Sequence, residues 1–172
     1  MITIISGTNR DNNQTIKVAN HYGKLLKEKN IDFKILDLST LPKDFIFTAL
    51  YGVKNEAFEN ILQEYIYGSS KLVVVSPEYN GSYPGIVKAF IDGWNPKETP
   101  GKKAALVGVA SGRQGNARGM DHLTNVLNYL NINVIPLKVP IGAIYGHLNE
   151  KGEFTSDEIN LLFNKQIDLL EA

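Results

Sequence analysis

Apolar positions in this chain follow two alternating rhythms. Short, nearly continuous apolar runs fall at Met1–Ile5, Asp32–Leu38, Leu72–Val75, Ala104–Val109 and Ile132–Pro136. Segments of this length, rich in Val, Ile and Leu, predict strands of a sheet covered on both faces. Between them lie longer stretches in which apolar residues return every three or four positions, near Gln14–Lys29, Glu56–Tyr67, Ile86–Trp94 and Gly119–Leu130. Ser156–Leu170 closes the chain with the same pattern. These predict helices with one buried face. Strands and helices in alternation, joined by short connections, imply parallel strands with right-handed crossovers. The expected architecture is α/β, a three-layer, doubly wound sheet of five parallel strands in the order 2-1-3-4-5. No repeat, linker or low-complexity tract interrupts it, so residues 1–172 are expected to form one domain.

One segment departs from the rhythm. Leu41-Pro42-Lys43-Asp44-Phe45-Ile46-Phe47-Thr48-Ala49-Leu50-Tyr51-Gly52 carries large apolar side chains where a connection should be. Either it tucks onto the core as a loop, or it is an apolar flap that buries itself in a second subunit beside a ligand site.

Composition narrows the classes. A hydrophobic fraction of 43% with 21% charged residues is ordinary for a soluble globular protein, and 172 residues can bury a core without staples. The absence of cysteine excludes disulfides, thiolate metal sites and thiol redox chemistry, and agrees with the cytoplasmic setting expected for the chain. Eighteen basic and eighteen acidic side chains cancel, which argues against a nucleic-acid partner. Met1-Ile2-Thr3-Ile4-Ile5 is too short to span a bilayer and lacks a basic start, so neither a targeting signal nor a membrane span is expected.

Candidate chemistry gathers where the apolar runs stop. Strand one ends in Ser6-Gly7, strand three in Ser76-Pro77 and strand four in Ser111-Gly112. In the expected order these strands are neighbours, so their carboxyl ends line one crevice, the place where open α/β sheets bind ligands. The first loop, Gly7-Thr8-Asn9-Arg10-Asp11-Asn12-Asn13-Gln14-Thr15, carries hydroxyls, amides and a guanidinium into the start of helix one. Unpaired N–H groups and the positive dipole end make that junction a phosphate site. Thr8, Asn13, Gln14 and Thr15 can add hydrogen bonds, and Arg10 a charge-assisted one. A bare helix cap by Asn12 or Asn13 is the plainer alternative, but it would need only one polar group. The loop has neither the Gly-Lys-Ser/Thr of a Walker loop nor G-x-G-x-x-G, which favours a monophosphate over a diphosphate.

The second loop follows Val73-Val74-Val75 and reads Ser76-Pro77-Glu78-Tyr79-Asn80-Gly81-Ser82-Tyr83-Pro84-Gly85. Tyr79 can stack against or flank a ring, while Glu78, Asn80, Gly81 and Ser82 present main-chain groups to its polar edge. Glycines at 81 and 85 permit close backbone approach. A planar heterocycle edged with polar atoms suits such a loop, flavin first among them. The third loop, Ser111-Gly112-Arg113-Gln114-Gly115-Asn116-Ala117-Arg118-Gly119, could wrap the ring's far edge or gate a phosphorylated co-substrate; it could also be a solvated connection.

Other chemistries fit less well. Ser111 precedes Asp121 and His122, but an Asp and a His adjacent on a helix point apart, and no G-x-S-x-G elbow is present. His21, His122 and His147 lack metal-ligand spacing and are expected to be solvated. Trp94, at the end of a helix, is expected to pack in the core or an interface.

Gly7-Thr8-Asn9-Arg10, Pro77-Glu78-Tyr79-Asn80-Gly81-Ser82 with Pro84-Gly85, and Ser111-Gly112 with Gly115 and Arg118 resemble the NAD(P)H-dependent FMN reductase family. This is a flavodoxin-like group that includes quinone, chromate and azo-dye reductases, and the likeness runs from strand one to about Ile141. It implies FMN as cofactor and NAD(P)H as co-substrate, with Thr8, Arg10, Asn13, Gln14 and Thr15 at the phosphate. Pro77, Glu78, Tyr79, Asn80 and Gly81 would hold the isoalloxazine, with Ser111 and Gly112 at its other side. Asn13 stands where relatives usually carry serine. No protein group need be catalytic, because hydride transfer at flavin N5 is the cofactor's own chemistry. The resemblance further implies ping-pong turnover with a small-molecule acceptor such as a quinone or free flavin, and a homodimer or homotetramer. An electron carrier of flavodoxin type and a flavin-binding module without turnover are the competing expectations.

Overall fold

The computed structural model of the protein describes residues 1–51 and 55–172. Strand β1 (Ile2–Ser6) leads to helix α1 (Thr15–Glu28), β2 (Phe33–Asp37), a short helix α2 (Phe45–Thr48) and α3 (Glu56–Ile61). Then come β3 (Lys71–Pro77), α4 (Gly85–Asp92), β4 (Lys103–Val109), α5 (Ala117–Tyr129), two short strands β5 (Asn133–Val134) and β6 (Val139–Ile141), and α6 (Asp157–Glu171). The strands pair in parallel in the order β2-β1-β3-β4-β5, the doubly wound arrangement expected from the alternation.

Alternate residues of each central strand feed opposite cores. From β3, Leu72 and Val74 join Phe58, Phe90 and Leu123 of α3, α4 and α5, whereas Val73 and Val75 join Tyr22 of α1 and Phe163 of α6. Both faces of the sheet are thereby covered, which is why the strand sequences are apolar without a break. Helix α3 widens over Leu62–Tyr67 into a π-helical turn, and Gly68 N–H bonds back to Gln63 O. Trp94 lies in the core, edge-on to Phe90 with ring centroids 5.6 Å apart.

The single fifth strand expected over Ile132–Pro136 is instead split in two. Asn133 and Val134 pair with Lys103 and Ala104; the ladder resumes only at Val139, opposite Val107. Pro136 has no N–H to donate, so the edge leaves register there. Gln166, fully buried on α6, bridges the gap by donating from Nε2 to Leu106 O at 3.0 Å and Leu137 O at 2.8 Å. The edge strand is thus closed by a side chain from another layer.

The apolar segment after β2 has two sides. Leu41, Phe45, Ala49 and Leu50 enter the core, with Phe45 stacked on Phe58 at 5.1 Å, while Phe47 and Tyr51 are 85% and 86% exposed. Gly52, the last residue of the expected flap, lies outside the described residues. The expectation of solvated histidines holds for His122 alone. His21 and His147 are half-buried against Phe154, because an imidazole face packs on an aromatic ring as readily as on water. Among the described residues, no helix is long and apolar enough to cross a membrane.

Replacing Gln166 by Leu keeps the volume but strands one buried and one half-buried carbonyl, and should cost about 1–3 kcal/mol in urea unfolding. An unchanged midpoint would show that the edge strand does not need the bridge.

Candidate functional site

The carboxyl ends of β1, β3 and β4 open on a cleft of ≈ 270 Å³. Arg10 to Thr15 form one wall, Pro77, Glu78 and Tyr79 a second, and Val109, Ala110 and Ser111 a third, with Ile144 and Tyr145 beside it. Eight of the residues singled out from the sequence meet here: Arg10, Asn13, Gln14, Thr15, Pro77, Glu78, Tyr79 and Ser111.

The first loop reaches α1 through a turn at Asn12, whose φ is 52°. Asn13 closes the helix: its Oδ1 accepts from Ile16 N–H at 2.8 Å and its Nδ2 donates to Arg10 O at 2.9 Å. That is the capping role, and both polar atoms of the side chain serve the loop itself. The backbone amides of Gln14 and Thr15 have no acceptor among the described residues, and the first turn of α1 holds no acidic side chain. Gln14 Oε1 is buried without a partner among the described residues. Arg10 is exposed and, among the described residues, in no ion pair; Asp11 shares its wall. The result is an anion-seeking corner made largely of backbone.

Thr8 does not line the cleft. It is fully buried, and its Oγ1 bonds the Tyr79 hydroxyl at 2.7 Å and accepts Arg10 N–H at 3.2 Å. The pair ties the first loop to the second and fixes the half-buried Tyr79 ring. Asn80 and Gly81 lie outside the lining as well. Tyr79 and Ser82 exchange backbone hydrogen bonds of 2.9 and 3.1 Å around Asn80 (φ 50°) and Gly81 (φ 76°), which is a type I′ turn. The Asn-Gly pair is the sequence signature of that turn. A Cβ at 81 would sit 2.7 Å from Arg118 Nη1, which could swing aside, so it is the positive φ that favours glycine there.

Gly112 is exposed, and its carbonyl accepts Ala143 N–H at 2.8 Å, which fastens the third loop to the chain beyond β6. That chain brings in Ile144 and Tyr145, the latter 65% exposed. Sequence reasoning missed both, because only the fold carries them to the cleft. The only local hint was Gly142-Ala143, where Ala143 takes the left-handed φ of 47°. Asn116, also unassigned, is buried under the second loop. Among the described residues no relay reaches Ser111: Asp121 pairs with Lys138 at 3.0 Å and His122 Nδ1 bonds Ser82 Oγ at 2.9 Å.

The profile of a family described as NADPH-dependent FMN reductase matches residues 1–146. The chain belongs to that family. Its members are flavodoxin-like oxidoreductases with FMN as cofactor and NAD(P)H as reductant. An NAD(P)H-dependent FMN reductase of Pseudomonas aeruginosa is 34% identical over 116 residues, covering 63% of this chain and 61% of that protein. A 2-hydroxy-1,4-benzoquinone reductase of Burkholderia is 27% identical over 135 residues, covering 76% and 72%. Among solved structures, the flavoenzyme NAD(P)H:(acceptor) oxidoreductase FerB from Paracoccus denitrificans superposes with a TM-score of 0.79 at 23% identity, over 99% of this chain and 94% of that one. That likeness speaks for the fold.

Tyr79→Phe and Thr8→Val should each cost about 1 kcal/mol in urea unfolding, and the double variant should cost less than their sum. Strict additivity would mean that the two loops are not coupled through this bond.

Proposed function

We propose that this protein is an NAD(P)H-dependent FMN oxidoreductase that passes electrons to quinones, flavins or other small acceptors, with FMN held across the cleft. One observation carries the reading. The amides of Gln14 and Thr15, unpartnered among the described residues, and Arg10 beside them share a single cleft with Pro77, Glu78 and Tyr79. A phosphate and a flat polar ring are the two halves of FMN.

The residues fit that group. The α1 amides, Arg10 and the Thr15 side chain would hold the phosphate, and Gln14 Oε1, an acceptor without a donor among the described residues, would accept from a hydroxyl of the ligand. Thr8 and Asn13 act from behind, keeping the loop in shape. Pro77, Glu78 and Tyr79 would meet the isoalloxazine, with the Asn80-Gly81 turn setting their direction and Ser111 and Gly112 bounding the far side. When bound, FMN would supply the redox chemistry itself, carrying electrons from NAD(P)H to the acceptor. The chain's own contribution is to fix the ring, neutralise the phosphate and, through Val109, Ala110 and Ile144, keep water from one side. A quinone acceptor is supported by the Burkholderia relative's name, and a cytoplasmic setting by the absence of cysteine.

We also propose a homodimer or homotetramer built in part on Phe47 and Tyr51, two aromatic rings left uncovered among the described residues.

Purified protein should be yellow or take up added FMN, and should oxidise NADH or NADPH when given a quinone. A protein that stays colourless with excess FMN would sink the proposal, and one that binds FMN without steady-state turnover would be a carrier or a binding module. Arg10→Ala should weaken FMN about tenfold while leaving riboflavin affinity unchanged; equal losses for both ligands would place the phosphate elsewhere. In sedimentation, wild type should be larger than a monomer, and Phe47→Asp with Tyr51→Asp should reduce it to one. A wild-type monomer at micromolar concentration would remove the flap from the interface.

A further inference from the structure

We infer that Asn116 is a positioning residue whose buried carboxamide latches the third loop to the backbone of the ring-holding loop. The role it would serve, setting Ser76–Pro77 for the flavin, rests on the reading of the cleft as an FMN site. Asn116 is 0% exposed and stands at the start of α5 with φ 58°, a left-handed conformation that asparagine tolerates better than other side chains. Its Nδ2 donates to Pro77 O at 2.9 Å and Ser76 O at 3.1 Å, with Ser76 Oγ at 3.3 Å. These are the last two residues of β3, immediately before Glu78 and Tyr79. One amide group therefore governs where the strand ends and in which direction the loop departs.

Two features argue that this is more than packing. Asn116 Oδ1 has no partner among the described residues, so the side chain is held through its amide nitrogen. Only the donor half of the amide is used, so an isosteric carboxylate cannot replace it. The surroundings are also cut to fit. A Cβ at Gly119 would collide with Asn116 Oδ1, and one at Gly108 would collide with Gly115 O. Both positions hold glycine.

The latch reaches further than one loop. The third loop is fastened on its other side to the chain carrying Ile144 and Tyr145, through Ala143 N–H to Gly112 O at 2.8 Å and Ile144 N–H to Ala110 O at 3.1 Å. Asn116 thus joins the β3 floor of the cleft to its far wall, and the two hold their spacing together. Without it, the wall and the floor are free to shift independently, and the ring's environment with them.

Two variants break the latch by different routes. Asn116→Gly deletes the donor while permitting the left-handed backbone; Gly119→Ala keeps the donor but displaces it, its Cβ falling on Asn116 Oδ1 and on the Tyr83 backbone N. In ligand-free protein, either should speed amide exchange at Glu78 and Tyr79 by about tenfold without altering exchange in the β1 and β3 interiors. Either should also weaken FMN by about tenfold and move the bound flavin's midpoint potential towards that of free FMN. Unchanged loop exchange would overturn the inference. So would faster exchange spread evenly over the sheet with a lower unfolding midpoint, which would make Asn116 merely structural. Wild type that binds no FMN would defeat the functional reading, yet the exchange comparison on ligand-free protein would still decide the latch. Wild type that binds FMN, with both variants matching its affinity and potential, would overturn the latch and leave the cofactor in place.

Discussion

Parallel pairing of β1, β3 and β4 is the constraint on which the rest of this structure depends. Ser6 lies opposite Val75, and Pro77 opposite Val109, so three neighbouring chains leave the sheet at the same edge. A parallel sheet returns each chain through a helix, which places the amino terminus of α1 beside that edge. Backbone N–H groups free at a helix start and loops free of ladder pairing then converge without any unusual side chain. The cleft is a consequence of topology before it is a consequence of chemistry.

Topology alone would leave three loops loose, and a few polar contacts brace them against one another. Thr8 and Tyr79 join the first loop to the second, Asn116 joins the second to the third, and Gly112 O with Ala143 N–H joins the third to the chain after β6. The first two are half-buried, where a hydrogen bond is stronger and an unmade one more costly than in solvent. Residues that would be assigned to a ligand from sequence thus divide into those that face the cleft and those that hold the first group in place. Thr8 and Asn13 belong to the second group, and Arg10, Gln14 and Thr15 to the first. A preformed site of this kind suits a cofactor whose chemistry is its own, since the chain need only hold and tune it.

Much of the fold was legible because buried strands and amphipathic helices have different periods. Val73-Val74-Val75 and the run to Val109 could only be inner strands, and α1, α5 and α6 carry unambiguous apolar stripes. The edge was not legible in the same way. Ile132–Pro136 looks like a strand by composition, but Pro136 removes a donor, and the gap is closed by Gln166, some thirty residues along the chain and in another layer. The segment after β2 divided between core and surface because Phe45 and Leu50 find Phe58 and its neighbours, whereas Phe47 and Tyr51 point away. No local pattern separates those outcomes.

The sequence by itself determined the layer architecture, the strand order, the edge at which a ligand would sit and the family to which its motifs belong. Those properties follow from short-range periodicity and from which residues end each strand. Tertiary structure alone decided which polar groups remain free for a ligand. Asn13 is a cap, Asn80-Gly81 is a turn and Thr8 is a brace, while Ile144 and Tyr145 enter the cleft from a distant part of the chain. A hydrogen-bonding side chain has one set of partners at a time, and its partner is set by what the fold brings within 3 Å or so of it.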